Sequence, residues 1–281
     1  MLDVVCSTAP TIRIGGSDIP TEAVKDRFLQ LDSEHIMIRK RGEHPEQYVR
    51  QPGRDFTRPR TLTFETVISL LMTMSENSIG KIRIRRFQNS EKTPPASAFV
   101  QQRQKLLPAA LETLFHRFTA LLRPEKTFCG CRLPAVDGSS LKSAAYPENP
   151  DRFPLAALKA LYARRWGIET SFRSLKYAVG LIHLHAKKPD LVLQEVFASF
   201  LIFNFTQAAA WAVDATQGTA KYKPHVNFSD AVFACCAFLR HSAADPLPLL
   251  QRRLLPLRPG RTAPRPKITG NRISACYASA R

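Results

Sequence analysis

Acidic residues are scarce in this sequence. The 281-residue chain has 41 lysines and arginines against 23 aspartates and glutamates, which gives a net charge of +18 and an isoelectric point of about 10.1. No acidic residue occurs after Asp245. This imbalance predicts a polyanionic partner, with nucleic acid as the first candidate and an anionic membrane surface as the second. The alternative is a protein that is merely basic, as ribosomal proteins are.

Long hydrophobic runs are also missing. The longest apolar stretch, VFASFLIFNF at 196–205, is too short to span a bilayer, which takes about 20 apolar residues. The N-terminal stretch MLDVVCSTAPTIRIGG lacks the basic segment followed by an apolar segment that marks a secretory signal. We therefore expect no membrane partner and a cytoplasmic location.

Zinc-type cysteine spacing is absent as well. The six cysteines include the tight pairs CGC and CC, which do not provide two matched pairs of ligands for a four-coordinate site. His183 and His185 alternate, which is not the spacing of metal ligands on a helix. We therefore expect reduced cytosolic thiols.

Apolar periodicity predicts three helices outside the central part of the chain. The first contains TFETVISLLMTM, with apolar residues at helical offsets from Phe64 to Leu71. The second covers 97–122 and is expected to break at Pro108. The third covers 190–213, and Asp190 could cap its start.

The N-terminal part of the chain predicts a DNA-binding module. Basic residues flank the first predicted helix on both sides, and the region 46–124 is mostly helical in the prediction. The alternative is a solvated helical bundle with no DNA contact. Residues 1–45 have no clear period and are interpreted as an irregular extension.

One aspartate follows a short apolar run in the middle of the chain. The run Arg132–Val136 predicts a strand that presents Asp137 at its end, just before a turn. The alternative is a simple Asp-Gly turn with no catalytic role.

A charged helix follows, from near Leu155 to about Gly180. At about 100° per residue, Tyr162, Arg165, Glu169 and Lys176 share one narrow face of this helix. Such a face holds one carboxylate between cations. The alternative is a surface helix with an Arg–Glu ion pair four residues apart.

The order and spacing of these four residues resemble the signature of the insertion-sequence-four family of bacterial transposases. The segment RRWGIETSFRSLKYAVGLIHLHAKKPDLVLQEVFASFLIFNF resembles that family's catalytic helix and the segment after it, and RLPAVDGSSLKSAAYPENPD resembles its first-aspartate strand. FTRPRTLTFETVISLLMTMS and PPASAFVQQRQKLLPAALETLF resemble its N-terminal region, and YKPHVNFSDAVFACCAFLR its C-terminal end. The resemblance covers roughly residues 45–270.

The resemblance implies an α/β fold class, with a partial RNase H-like catalytic core beside the mostly helical N-terminal region. It implies DNA cleavage and strand transfer by two-metal phosphoryl transfer, with Mg²⁺ bound by an Asp-Asp-Glu triad. Carried over, Asp137 is the first aspartate and Glu169 the glutamate, and both are metal ligands. Tyr162, Arg165 and Lys176 are implied to contact the double-stranded DNA of the transposon ends. A cytoplasmic, bacterial protein is also implied.

The second aspartate of the triad has no counterpart. Only the 31 residues 138–168 separate Asp137 from Glu169, and the one aspartate among them is Asp151. The interval from Asp137 to Asp151 is too short for two further strands and a helix, since strands average about 5–6 residues. We therefore expect an internally deleted and inactive copy. The alternatives are a DNA-binding remnant that regulates transposition, and a chain that does not fold.

These expectations divide the chain into four parts. Residues 1–45 form the irregular extension and 46–124 the helical, DNA-binding region. Residues 125–245 form the truncated catalytic domain. Residues 246–281 form a basic tail, rich in proline and arginine, that is expected to be flexible and drawn to phosphates.

Overall fold

The computed structural model describes residues 45–58, 61–74, 79–88, 90–91, 93–122, 154–157, 159, 166–216, 224–240 and 245–256. In this part of the chain a 3₁₀ turn, Pro45–Tyr48, precedes four helices: α1 Phe64–Met72, α2 Ile79–Phe87, α3 Ala96–Lys105 and α4 Pro108–Leu122. Then come α5 Trp166–Arg173, a π turn Ser174–Ala178, and α6 Pro189–Thr216. The last elements are β1 His225–Val226, α7 Phe228–Leu239, α8 Pro246–Arg252 and β2 Leu254–Leu255.

Helix α1 confirms the first predicted helix. Its apolar side, from Phe64 to Met72, is buried in the core. Thr63 caps the helix, because its hydroxyl accepts a hydrogen bond of 3.2 Å from the backbone N–H of Thr66. The short helix α2, which is mostly basic, was not predicted from the apolar pattern.

Helices α3 and α4 confirm the second predicted helix and its break at Pro108. Leu106 adopts an extended conformation between the two helices and is fully buried. The chain before α1 uses this break: Leu107 N–H donates to the carbonyl of Tyr48 at 2.9 Å, and Arg50 N–H to that of Lys105 at 2.9 Å. The missing helical bonds at the proline are thus replaced by bonds to a distant segment.

Helix α6 is the centre of the core. It is apolar on all sides and packs against α1, α4, α7 and α8. It confirms the third predicted helix but begins at Pro189, so Asp190 lies inside the first turn. The carboxylate of Asp190 accepts a hydrogen bond of 2.5 Å from Arg50.

The expectation that no segment is long enough to cross a membrane is wrong by length. The stretch Pro189–Val213 is long enough to cross a membrane, and its mean hydropathy stays high although single polar residues interrupt the apolar runs. Yet 78% of its most apolar window is buried inside the fold, which is typical of the core helix of a soluble protein. Length and composition are therefore weak evidence for a membrane span.

The C-terminal elements are capped and paired. Asn227 caps α7 by accepting from Ser229 N–H at 2.9 Å, and Asp245 caps α8 by accepting from Leu247 N–H at 2.9 Å. Strands β1 and β2 form an antiparallel pair. The segment predicted as a basic tail thus begins with α8 and β2, while residues 257–281 lie outside the described residues.

The described part of the chain is mostly helical, and the short pair β1–β2 is its one sheet. The strand predicted at Arg132–Val136 lies outside the described residues, as does the extension up to residue 44. The α/β character expected of the catalytic core is therefore not seen in this part.

Candidate functional site

Two of the five predicted site residues lie on described backbone. Glu169 is in α5, although its side chain lies outside the described features. Lys176 is on the π turn and is exposed. Asp137, Tyr162 and Arg165 lie outside the described residues, as does Asp151.

The π turn changes the spacing between the two placed residues. A regular α-helix would bring Glu169 and Lys176, seven residues apart, almost onto one line. The π turn at Ser174–Ala178, which contains Lys176, departs from the regular 100° spacing that this alignment assumes. Tyr162 and Arg165 lie outside the described residues, so the shared face of the four residues stays a prediction; π turns themselves are frequent at functional sites.

Two buried side chains and one glycine anchor the π turn. Leu175 and Val179 are both 2% exposed and belong to the core. Val179 N–H donates to the carbonyl of Ser174 at 3.0 Å, and Leu181 N–H to that of Leu175 at 3.2 Å. Gly180 ends the turn with φ +85°, which glycine adopts without steric cost. The turn is thus closed where the sequence predicts the charged helix to end.

A buried ion pair lies beside the segment 181–188, which follows the π turn. Arg103 on α3 donates from Nη1 to Glu195 Oε1 on α6 at 2.7 Å, and from Nε to Gln194 Oε1 at 3.0 Å. All three residues are buried. Burial lowers the pKa of Arg103, and the hydrogen bond and charge of Glu195 act in the opposite direction. The guanidinium is therefore a paired cation in the core.

Helix α2 presents a basic surface. It carries Lys81, Arg83, Arg85 and Arg86 and no acidic residue. Arg83 Nη1 donates to the carbonyl of Pro94, which fixes that side chain. Arg85 is exposed, and Arg86 lies 5.9 Å from the centre of the Phe87 ring while burial lowers its pKa. Arginines arranged in this way suit contact with phosphates.

Arg240, at the end of α7, is a second buried arginine. It is 6% exposed, and its Nε has no hydrogen-bond partner. Burial is the main cause that lowers the pKa of Arg240; Cys236 counteracts it, and the positive charge of Arg85 adds to it. Arg240 thus differs from Arg103, which has a carboxylate partner.

Cys235 and Cys236 are free and buried in α7. Burial, the first cause, raises the pKa of both thiols, to about 11 for Cys236, whose thiolate Arg240 and Arg85 partly stabilise. The expectation of reduced thiols stays a prediction. The other four cysteines lie outside the described residues.

Among the described residues, no group of three or more His, Cys, Asp or Glu side chains is placed to hold a metal ion. The two predicted ligands are Asp137 and Glu169. Asp137 lies outside the described residues, and so does the side chain of Glu169. The fit of the Asp137 and Glu169 carboxylates to a divalent cation therefore stays a prediction.

Sequence reasoning missed the buried Arg103–Glu195 pair and the buried Arg240. One signal could have found the pair: Gln194 and Glu195 interrupt an otherwise apolar helix, and a carboxylate in such a place needs a buried cation. No comparable signal in the sequence distinguishes Arg240 from the many exposed arginines.

Comparison with known proteins gives one informative match. Residues 35–205, more than half of the chain, match the model of the transposase DDE domain. Residues 1–40 match the model of a family of unknown function. No curated protein and no solved structure matches the chain significantly. The DDE match implies an RNase H-like fold, DNA binding and a divalent metal. The chain therefore belongs to the transposase DDE domain family.

Proposed function

We propose that this chain is a transposase of the insertion-sequence-four type, derived from an enzyme that cleaves and joins DNA strands, and that this copy is inactive. The observation that carries the proposal is the Tyr162–Arg165–Glu169–Lys176 spacing inside the segment that matches the DDE domain. The same segment contains Asp137.

The family chemistry gives each residue a role. Asp137 and Glu169 would hold Mg²⁺, which supplies Lewis-acid stabilisation of the phosphodiester oxygens when bound. Tyr162, Arg165 and Lys176 contact the double-stranded DNA of the transposon ends. The exposed position of Lys176 on the π turn supports this role, because its ammonium group is accessible to a phosphate.

The missing second aspartate supports inactivity. Two carboxylates provide fewer hard oxygen ligands than the triad, so the affinity for Mg²⁺ is expected to be much weaker. Asp151 is too close in sequence to Asp137 to occupy the fourth strand of an RNase H-like sheet. The chain is thus an inactive transposase of the bacterial cytoplasm, from which an internal segment has been deleted.

A second candidate function is a non-catalytic DNA-binding remnant that regulates transposition. The observation that favours it is the intact packing of α1, α3 and α4 around the core, with the basic α2 beside them. DNA binding through this region does not require the missing aspartate.

A nicking assay tests both candidates. Purified protein is incubated with plasmid that carries the DNA flanking its own coding region, with Mg²⁺ or Mn²⁺. A Glu169→Gln variant is the matched control, because it removes the carboxylate charge and keeps the shape. We expect no nicking by either protein and retardation of the flanking DNA in a gel. Nicking that Glu169→Gln abolishes would refute inactivity, and absence of DNA retardation would refute the binding remnant.

A further inference from the structure

The carboxylate of Glu195 has two separate tasks. Its Oε1 accepts the bond from Arg103 on α3, and Arg103 also donates from Nη2 to the Leu191 carbonyl at 2.5 Å. The other carboxylate oxygen of Glu195, Oε2, accepts a hydrogen bond of 2.7 Å from the backbone N–H of His185. The carboxylate therefore ties the segment 181–188 to both α6 and α3.

Hydrogen bonds continue from this segment to the π turn. His183 N–H donates to the carbonyl of Gly180 at 2.9 Å, and Leu181 N–H donates to that of Leu175 at 3.2 Å. Lys176 is the next residue along the chain from Leu175. A short series of bonded backbone groups thus leads from Glu195 to the residue that carries the predicted DNA contact.

Tight packing does not replace this connection. A cavity of about 20 Å³, enough for one water molecule, lies between α6 and the segment that follows the π turn, lined among others by Gly180, His183, His185 and Glu195. The segment from Gly180 to His185 borders this cavity, so close packing does not restrain it on that side. The charged hydrogen bond at His185 is then the stronger restraint on its position.

The stability of the fold does not require a charged pair at this position. Removing two charges from water costs free energy, and a hydrophobic pair of similar volume is often as stable or more so. A geometric use is a sufficient reason for a carboxylate here, because an apolar side chain cannot accept the bond from His185.

We propose that Glu195, held by Arg103, is a positioning residue that fixes the segment 181–188 and thereby the orientation of Lys176 toward a DNA phosphate. The inference rests on the proposed function, in which Lys176 contacts DNA. It connects α3 of the N-terminal region to the charged helix through one carboxylate.

A double-mutant cycle on DNA affinity tests the inference. The variants are Lys176→Gln, the pair Arg103→Met with Glu195→Met, and all three substitutions together. The dissociation constant for duplex DNA from the flanking sequence is measured over a range of salt, and the Tm of each variant is measured in parallel. A merely structural pair would change Tm and leave affinity unchanged.

We expect Lys176→Gln to weaken binding roughly fivefold and to lower the salt slope by about one, as the loss of one phosphate contact does. The Met pair should keep or raise Tm, weaken binding by a similar factor, and have no further effect when Lys176 is already Gln. If the Met pair lowers Tm, Glu195→Asp replaces it in the same cycle, because Asp keeps the charge and withdraws the oxygens from His185.

The outcomes separate the two proposals. If Lys176→Gln leaves affinity and salt slope unchanged, the proposed DNA contact of Lys176 is wrong, and the positioning role falls with it. If Lys176→Gln weakens binding but the Glu195 variants do not, or if their effects add, the positioning role alone is overturned.

Discussion

The hydroxyl of Ser69 on α1 donates a hydrogen bond of 2.7 Å to the carbonyl of Leu239 at the end of α7, and both residues are buried. The two positions are 170 residues apart in the chain. The bond therefore joins the N-terminal helices directly to the segment that follows the charged helix. The helices on both sides contribute to one hydrophobic core.

Replacing Ser69 by Ala tests this connection. The substitution leaves a buried carbonyl without its donor, so we expect the free energy of unfolding to fall by about 1–3 kcal/mol. Denaturation in urea measures the change. Ser199→Ala is the matched control, because Ser199 donates only to Glu195 O of its own helix, at 2.8 Å. An equal loss in both variants would contradict the importance of the long-range bond.

The two buried arginines are expected to respond in opposite ways to the same substitution. Arg103→Met leaves the carboxylate of Glu195 buried and unpaired, and should destabilise the fold by about 3–5 kcal/mol. Arg240→Met removes a buried cation whose Nε has no hydrogen-bond partner, which has no carboxylate partner among the described residues, and which Arg85 repels. We expect Arg240→Met to be neutral or to stabilise the chain by about 1 kcal/mol.

Thermal and urea unfolding of both Met variants decide this prediction, because each variant serves as the control of the other. Equal destabilisation would mean that an anionic group compensates the buried charge of Arg240.

The buried thiols predict a loss of stability at alkaline pH. The ordinary thiol pKa is 9.0, and the pKa of Cys236 is raised to about 11, mainly by burial; that of Cys235 is raised too. The folded chain keeps these protons at a pH where the unfolded chain releases them. The stability they contribute is complete below about pH 9 and is lost as the pH rises toward the folded pKa, at about 1.4 kcal/mol per pH unit for each thiol.

The check is the free energy of unfolding between about pH 8 and pH 11 for the native chain and for a Cys235→Ala, Cys236→Ala variant. Tyrosines and lysines also titrate in this range, but they are common to both proteins and cancel in the difference. If the two pH profiles ran parallel, the thiols would have to be ionised or accessible in the folded chain.

Local patterns in the sequence predicted much of the helical fold. The periodicity around Phe64, the proline at 108 and the apolar run of α6 are each decided by neighbours within a few turns, so they could be found without the structure. At the site, the same logic located the charged helix and its end at Gly180. Helix α2 was missed because its pattern is basic rather than apolar.

The rest depends on contacts between distant residues. The ion pair of Arg103 and Glu195 joins residues 92 apart, and a single sequence does not show which arginine a buried carboxylate meets. Asp190 was predicted to cap a helix, but its carboxylate binds Arg50, 140 residues away. The π turn depends on how Leu175 and Val179 pack into the core, and a prediction that assumes a regular 100° per residue cannot show it.

The basic surface of α2 leads to a prediction about DNA affinity. Arg85 is exposed and Arg86 is half-buried at the end of this helix, and neither has an acidic neighbour within it. Replacing both by Gln should weaken binding to duplex DNA and lower the slope of log affinity against log salt by about two, because each arginine that neutralises a phosphate contributes about 0.9 to that slope. Arg83 is left unchanged because its side chain is bonded to the carbonyl of Pro94.

The matched control is Arg252→Gln with Arg253→Gln, which removes the same charge from exposed positions at the end of α8. Gel retardation over a range of salt measures both variants. A loss confined to the α2 variant would identify this helix as a phosphate-binding surface, whereas equal losses would mean that DNA responds only to the net charge of the chain.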